Sequence, residues 1–200
     1  MKEILLTILR DKNTGIAEFR QAAHKLALIL ANDASGYLEK EKISVNTTIA
    51  NASGTKLKND IILVPILRAA LSLFPAFLEY YPKAKVGFVG LKRDEKTAVA
   101  NLYYKNLPKI KDTDDIIILD PMIATGGSGA DTIKLLIESG AKENKIIFIA
   151  VISAKTGIDK IKKEFGKVKI ICVHQDEELN KNSYIVPGLG DFGDRYFGTL

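Results

Sequence analysis

Residues 114–140 read DDIIILDPMIATGGSGADTIKLLIESG, and the fold turns on this stretch. Ile116 to Leu119 form an unbroken apolar run of the kind that suits a strand buried on both faces. The run ends in Asp120-Pro121. A series of small residues follows (Ala124, Thr125, Gly126, Gly127, Ser128, Gly129), and then an apolar pattern at helical spacing from Gly129 to Ser139. Successive backbone N–H groups in a glycine loop make an anion cradle, and a helix start adds unpaired donors with the same polarity. Asp120 cannot itself bind a phosphate, but it can accept hydrogen bonds from sugar hydroxyls. A carboxylate beside a phosphate cradle therefore describes a phosphorylated sugar. The loop lacks the lysine of a Walker motif and the G-x-G-x-x-G spacing of a dinucleotide fingerprint. The plainer alternative is an ordinary tight turn from strand to helix.

Outward from this unit the same rhythm recurs. Short apolar runs at 61–64, 85–89 and 146–151 predict strands, and 169–173 predicts a fifth. Helical patterns lie between them at 69–79 and 157–165. Near the start, Glu18 to Leu38 reads as an amphipathic helix with Phe19, Ala22, Ala23, Leu26, Ile29 and Leu30 on one face and Gly36 near its end. The alternation predicts an α/β fold, a mostly parallel twisted sheet with flanking helices. Residues 92–114 break the rhythm and read as an extended β-arm or hairpin. The glycine-rich tail, 184–200, has no helical period and reads as a structured loop. Neither repeat nor linker interrupts residues 1–200, which predicts a single domain.

The composition narrows the function. With 46% hydrophobic residues in 200, the chain can bury a good core. Its net charge of +5, from 29 basic and 24 acidic residues, is a mild and dispersed excess. It suits solvated faces and an anionic small-molecule substrate, and no nucleic-acid partner is expected. A lone cysteine, Cys172, excludes a disulfide framework or cysteine-based metal site within one chain. Met1 to Arg10 lacks the features of a signal peptide, and the apolar runs are too short to span a bilayer. The expectation is a soluble, cytoplasmic protein without membrane association.

Four segments carry a family resemblance. LDPMIATGGSGADTI (119–133) resembles the ribose-phosphate loop of type I phosphoribosyltransferases, and more narrowly that of the uracil phosphoribosyltransferases, in which one acid is followed by proline. VPILRAAL (64–71) resembles that family's diphosphate loop. FVGLKRDEKT (88–97) resembles the segment that supplies a second arginine. YIVPGLGDFGDRYFGT (184–199) resembles the C-terminal uracil-binding signature. Weaker similarity reaches back to residues 9–21, so the likeness covers most of the chain.

The resemblance implies transfer of 5-phosphoribosyl from 5-phospho-α-D-ribose 1-diphosphate to uracil, giving UMP and diphosphate in pyrimidine salvage. It implies that Arg68 and Arg93 contact the diphosphate, a task suited to guanidinium forks. By the same resemblance Asp120 takes the ribose hydroxyls, and the loop through Pro121, Met122, Ile123, Ala124, Thr125, Gly126, Gly127 and Ser128 holds the sugar phosphate. Backbone groups of Ile185, Gly190 and Phe192, with Asp191 beside them, would read uracil. The diphosphate implies Mg2+, and Asp191 is the residue expected to help position it, through water. A homodimer joined by an arm around 102–108 is also expected. Whether GTP activates, as in some relatives, is left open.

No general base stands out. His24 falls in the first helix and His174 at a strand end, and both read as structural or surface residues. Asp114 and Asp115 precede their strand, at the wrong end for the site. Three positions depart from the family pattern: Ala70 replaces a glycine, Lys92 a tyrosine, and Phe192 a small residue beside the base. A phenyl ring there stacks on uracil, narrows the pocket or points elsewhere. Two other readings follow, a phosphoribosyltransferase for another base and a non-catalytic nucleotide-binding regulator. A regulator has no need of two diphosphate-handling arginines, so their presence favours the enzyme.

Overall fold

A computed structural model describes residues 1–93 and 100–199, except for the side chains of Lys92, Arg93 and Ala100. The chain opens with α1 (Lys2–Arg10) and α2 (Ile16–Ser35), followed by a hairpin of β1 (Lys40–Asn46) and β2 (Asn51–Leu57). β3 (Ile61–Leu67) leads through a 3-10 turn (Ala69–Ser72) to α3 (Phe74–Tyr80), β4 (Lys85–Val86), β5 (Phe88–Arg93) and β6 (Ala100–Asn106). The opening motif becomes β7 (Asp115–Leu119), β8 (Met122–Ile123) and α4 (Gly127–Glu138). Then come β9 (Ile146–Ala154), α5 (Lys155–Glu164), β10 (Lys169–Asp176), β11 (Glu178–Leu179), β12 (Ile185–Val186) and α6 (Phe192–Phe197).

The main sheet runs β10-β9-β7-β3-β5-β6, with β4 beside β3 and β8 beside β9. All its pairings are parallel except β5 with β6. Every residue of β7 and β9 is buried, as a central parallel strand covered on both faces requires. Successive side chains point to opposite faces. Ile117 and Leu119 therefore join a core with α1, α2 and α3, while Ile116 and Ile118 join a second core with α4 and α5. From β3 the chain passes first to β5 on one side and later to β7 on the other. The order reverses between β3 and β7, where Pro65 pairs with Leu119. Open α/β sheets bind their ligands at the carboxyl ends of strands flanking such a reversal.

The departures from the sequence reading are local. The helix expected over 69–79 is a 3-10 turn and a separate α3, because Pro75 is tolerated only in a first helical turn. The first amphipathic helix runs from Ile16 to Ser35 rather than Glu18 to Leu38. The tail is not loop throughout: α6 is capped by Asp191, whose Oδ1 accepts from the Asp194 amide at 2.8 Å. Six residues are too few for a helical period to show. Neither α1 nor the β1–β2 hairpin was anticipated. The hairpin's strands are almost wholly exposed, so no apolar alternation marks them. The arm expected over 92–114 supplies β6, an edge strand antiparallel to β5, and its residues 94–99 lie outside the described residues. No helix among the described residues is long and apolar enough to cross a membrane.

Candidate active site

The loop after β7 does not project freely. The Asp120 amide donates to Ile149 O, and the Pro121 carbonyl accepts from the Val151 and Ile152 amides at 3.0 and 3.1 Å. β8 then pairs with β9. Backbone bonds to the neighbouring strand thus carry the loop to Gly126, whose φ of 75° admits glycine readily and starts α4. The N-cap of α4, Gly126, has no side chain to cap it, and the first amides of a helix have no intrahelical acceptor. Asp120 and the whole run from Met122 to Gly129, with Phe148 behind, line a pocket of about 60 Å³. Pro121 stands behind the pocket, engaged with β9. Of the residues expected to hold a sugar phosphate, all but Pro121 therefore line one pocket.

The shape of the cradle depends on a residue that sequence reasoning passed over. A Cβ on Gly157, in the first turn of α5, would lie 2.4 Å from Ala124 O and 3.0 Å from the Gly126 amide nitrogen. A Cβ on Gly126 would in turn lie 2.6 Å from Gly157 O. The two glycines let α5 and the loop meet backbone to backbone. By contrast, a Cβ on Gly127 would meet only Thr125 Oγ1, at 3.7 Å. That side of the loop is open to the pocket.

Asp120 is half-buried there. Desolvation pushes its carboxyl up to about 7; the Met122 amide, 3.5 Å from Oδ1, works against the rise, and the nearby Asp191 carboxylate adds to it. Between the ordinary value of 3.8 and 7 the free protein therefore holds a proton that an acceptor of sugar hydroxyls must release. An Asp120 that takes the ribose hydroxyls, as the sequence leads one to expect, would couple binding of the sugar phosphate to loss of this proton. Affinity should rise with pH by up to about tenfold per unit below 7 and level off above it. Asp120→Asn should flatten the rise, as calorimetric titration of both proteins across this range would test.

Arg68 follows β3 directly, and the Leu67–Arg68 peptide is cis. Its side chain is 65% exposed, with Nη2 3.8 Å from Asp194 Oδ1 and the guanidinium 6.0 Å from the Phe197 ring. Both of these partners belong to α6, in the tail. Arg93 ends β5, but its side chain, like Lys92 and residues 94–97 of that segment, lies outside the described residues. Ala70 brings no left-handed strain, since Ser183 alone among described non-glycine residues has positive φ, and Ala70 packs fully buried in its 3-10 turn.

The tail completes the site. From β12 the chain passes a cis Val186–Pro187 bond, turns at Gly188 (φ 59°) and Gly190 (φ 81°), and enters α6 at Phe192. A Cβ on Gly193 would lie 3.5 Å from Ala69 Cβ, so the start of α6 rests on the turn that follows Arg68. The Phe192 ring is 1% exposed and meets Phe19 edge to face, 5.0 Å between centroids. It points away from the pocket into the core under α2, leaving only its backbone facing the loop. Phe192→Leu should accordingly cost about 1–2 kcal/mol of stability and leave base preference unchanged. Thermal melts and base competition would read the two effects apart.

The remaining expected residues fall elsewhere. His24 lies on α2, 3.5 Å from Glu79, and His174 is exposed on β10. Asp114 and Asp115 lie at the opposite end of β7. Among the described residues, no three His, Cys, Asp or Glu side chains gather into a metal-binding group. Among the described residues, Asp120 lines the cradle and Asp191 lies near enough for its charge to act on Asp120. Magnesium commonly takes one or two carboxylates and completes its shell with substrate phosphates and water, so this donor set fits it.

Comparison with known proteins shows the family of the chain. The family profile described as uracil phosphoribosyltransferase matches residues 2–199. A uracil phosphoribosyltransferase from Finegoldia magna is 45% identical over 195 residues, covering 97% of this chain and 92% of the relative. A solved protein structure from Aquifex aeolicus superposes with a TM-score of 0.89 at 35% identity, covering 98% and 93% of the two chains. A purine phosphoribosyltransferase from Pyrococcus horikoshii, 14% identical, shares the fold alone with a TM-score of 0.52 over 78% of this chain and 83% of its own.

Proposed function

This chain belongs to the uracil phosphoribosyltransferase family, and from that premise we propose how its own residues divide the work. The enzyme converts uracil and 5-phospho-α-D-ribose 1-diphosphate to UMP and diphosphate. The observation that carries the assignment of roles is that the 120–129 cradle and Arg68 follow the two strands that flank the β3–β7 reversal, and each lies near an acid of the tail, Asp191 and Asp194 respectively.

The cradle amides and the Thr125 and Ser128 hydroxyls hold the 5-phosphate. Ionised Asp120 accepts from the ribose hydroxyls and fixes the anomeric carbon toward the tail. The bond to the leaving diphosphate loosens early, so the barrier falls chiefly by neutralising charge on that group. Arg68 does this, leaving its loose contact with Asp194, and Arg93 acts with it. Asp191 would help position Mg2+ through water, and the ion, when bound with the diphosphate, would supply further charge neutralisation. Uracil presents carbonyl, N–H and carbonyl along one edge, and backbone groups of Ile185, Gly190 and Phe192 read it. A fixed amide facing the 4-oxygen meets an amino group in cytosine, donor against donor, which penalises that base strongly.

The reading carries a cytoplasmic location, because a charged sugar diphosphate does not cross membranes. It also carries a homodimer through β6, whose edge exposes Leu102, Tyr103 and Tyr104. Light scattering that shows a monomer at working concentration would remove the dimer. For the reaction, purified protein with Mg2+ and 5-phosphoribosyl 1-diphosphate is offered uracil, cytosine, orotate, hypoxanthine or xanthine, with and without GTP. Nucleotide formed from uracil alone is the expected result. Product from another base alone would overturn the assigned reading of the tail, and none from any base would overturn the catalytic roles.

A further inference from the structure

The segment 187–190 has an unusual source of order. Among the described residues it makes no backbone–backbone hydrogen bond. Its backbone groups are instead met by side chains from distant elements. Asp176, at the end of β10 and only 4% exposed, accepts from the Gly188 amide at 3.2 Å through Oδ2. Its Oδ1 accepts from Arg10 Nη2 at 2.7 Å, and His174 Nε2 lies 3.3 Å from the same oxygen. Arg10, the last residue of α1, also reaches the Gly188 carbonyl at 3.4 Å. On the other side Arg195 Nη1 donates to Leu189 O at 2.8 Å and to Leu9 O, while Nη2 donates to Asp11 O at 2.6 Å.

The loop needs such holding. A Cβ on Gly188 would sit 2.1 Å from Ile185 O, so the chain doubles back on itself with no ladder to fix the bend. We propose that Asp176 and Arg10 are positioning residues for uracil. They touch no substrate, but they hold the Gly188 turn so that Ile185 and Gly190 present their backbone groups at the right spacing. The end of α1 is thus a brace for base recognition, built from a part of the chain remote from the cradle. This inference rests on the tail being the uracil-binding loop.

A misplaced recognition edge weakens the base without disturbing the phosphate cradle, because the 120–129 loop is anchored separately to β9. Asp176→Asn leaves one oxygen for the two donors that Asp176 serves, so its NH2 group faces either the Gly188 amide or Arg10, and Arg10→Gln removes the charge-assisted partner of a buried carboxylate. Each should raise KM for uracil about tenfold or more while KM for 5-phosphoribosyl 1-diphosphate stays within about twofold. Arg10→Lys should recover part of the loss by restoring the charge. The double variant should be no worse than the worse single one, since the pair acts as a unit. The partly exposed Arg10 variants keep the question answerable if Asp176→Asn does not fold.

Gly190→Ala tests the underlying reading separately, because φ of 81° disfavours alanine while a Cβ there meets only Arg195 Cδ at 3.6 Å. An unchanged uracil KM in Gly190→Ala would overturn the loop reading and the brace together. A raised uracil KM in Gly190→Ala but not in folded Arg10 and Asp176 variants would overturn the brace alone. Equal rises in both substrates' KM would reduce the pair to ordinary structural residues.

Discussion

Arg68→Ala lowers kcat/KM by about 10²–10³-fold, the usual effect of deleting one preorganised group that stabilises developing charge. The melting temperature should barely move. The side chain is mostly exposed, and its nearest acid, Asp194, is 3.8 Å away, too loose for a strong ion pair. Arg68→Lys should recover only part of the rate, because a point charge replaces a fork that grips two phosphate oxygens. Steady-state kinetics with calorimetric binding of diphosphate would separate loss of binding from loss of rate. A variant with wild-type kcat/KM would show that the arginine at the end of β3 does not serve the leaving group.

Gly157→Ala should raise KM for 5-phosphoribosyl 1-diphosphate by about ten- to a hundredfold, as expected when overpacking costs roughly 1–3 kcal/mol at a site that must shift to relieve it. The new methyl would overlap Ala124 O, a backbone atom, so relief comes only by moving the 120–129 loop or α5. Gly127→Ala is the internal control. Its methyl meets nothing closer than 3.7 Å within the protein and sits in a helical first turn, so folding should be unharmed. A loss of sugar-phosphate affinity in Gly127→Ala would report ligand in that open space. Equal tolerance of both substitutions would show that the cradle does not need its close contact with α5.

The sequence exposed those features whose cause is local. Ile116 to Leu119 must be buried on both faces, so they name a central strand wherever they stand, and the glycines after Asp120 name a loop able to present its own amides. Strand-helix alternation carried the sheet. Motif order put Arg68 directly after β3. Local reading failed where burial left no pattern, as in the exposed β1–β2 hairpin, and where an element was shorter than the period that reveals it, as in α6.

Tertiary structure alone decided the rest, because it depends on which distant residues meet. Phe192 could face uracil or the core until α6, capped by Asp191, began at Phe192 and turned the ring toward Phe19. Gly157 acquires a role only because α5 packs against a loop about 30 residues earlier in the chain, and nothing around Gly157 itself announces that approach. Arg10 and Asp176 are 166 residues apart, and the charge each carries says nothing of the other until α1 docks beside β10. Residue chemistry and local period set the strand, the glycine loop and the arginine that follows β3. Long-range packing, which no local period encodes, set the aim of each side chain and the side-chain support behind the Gly188 turn.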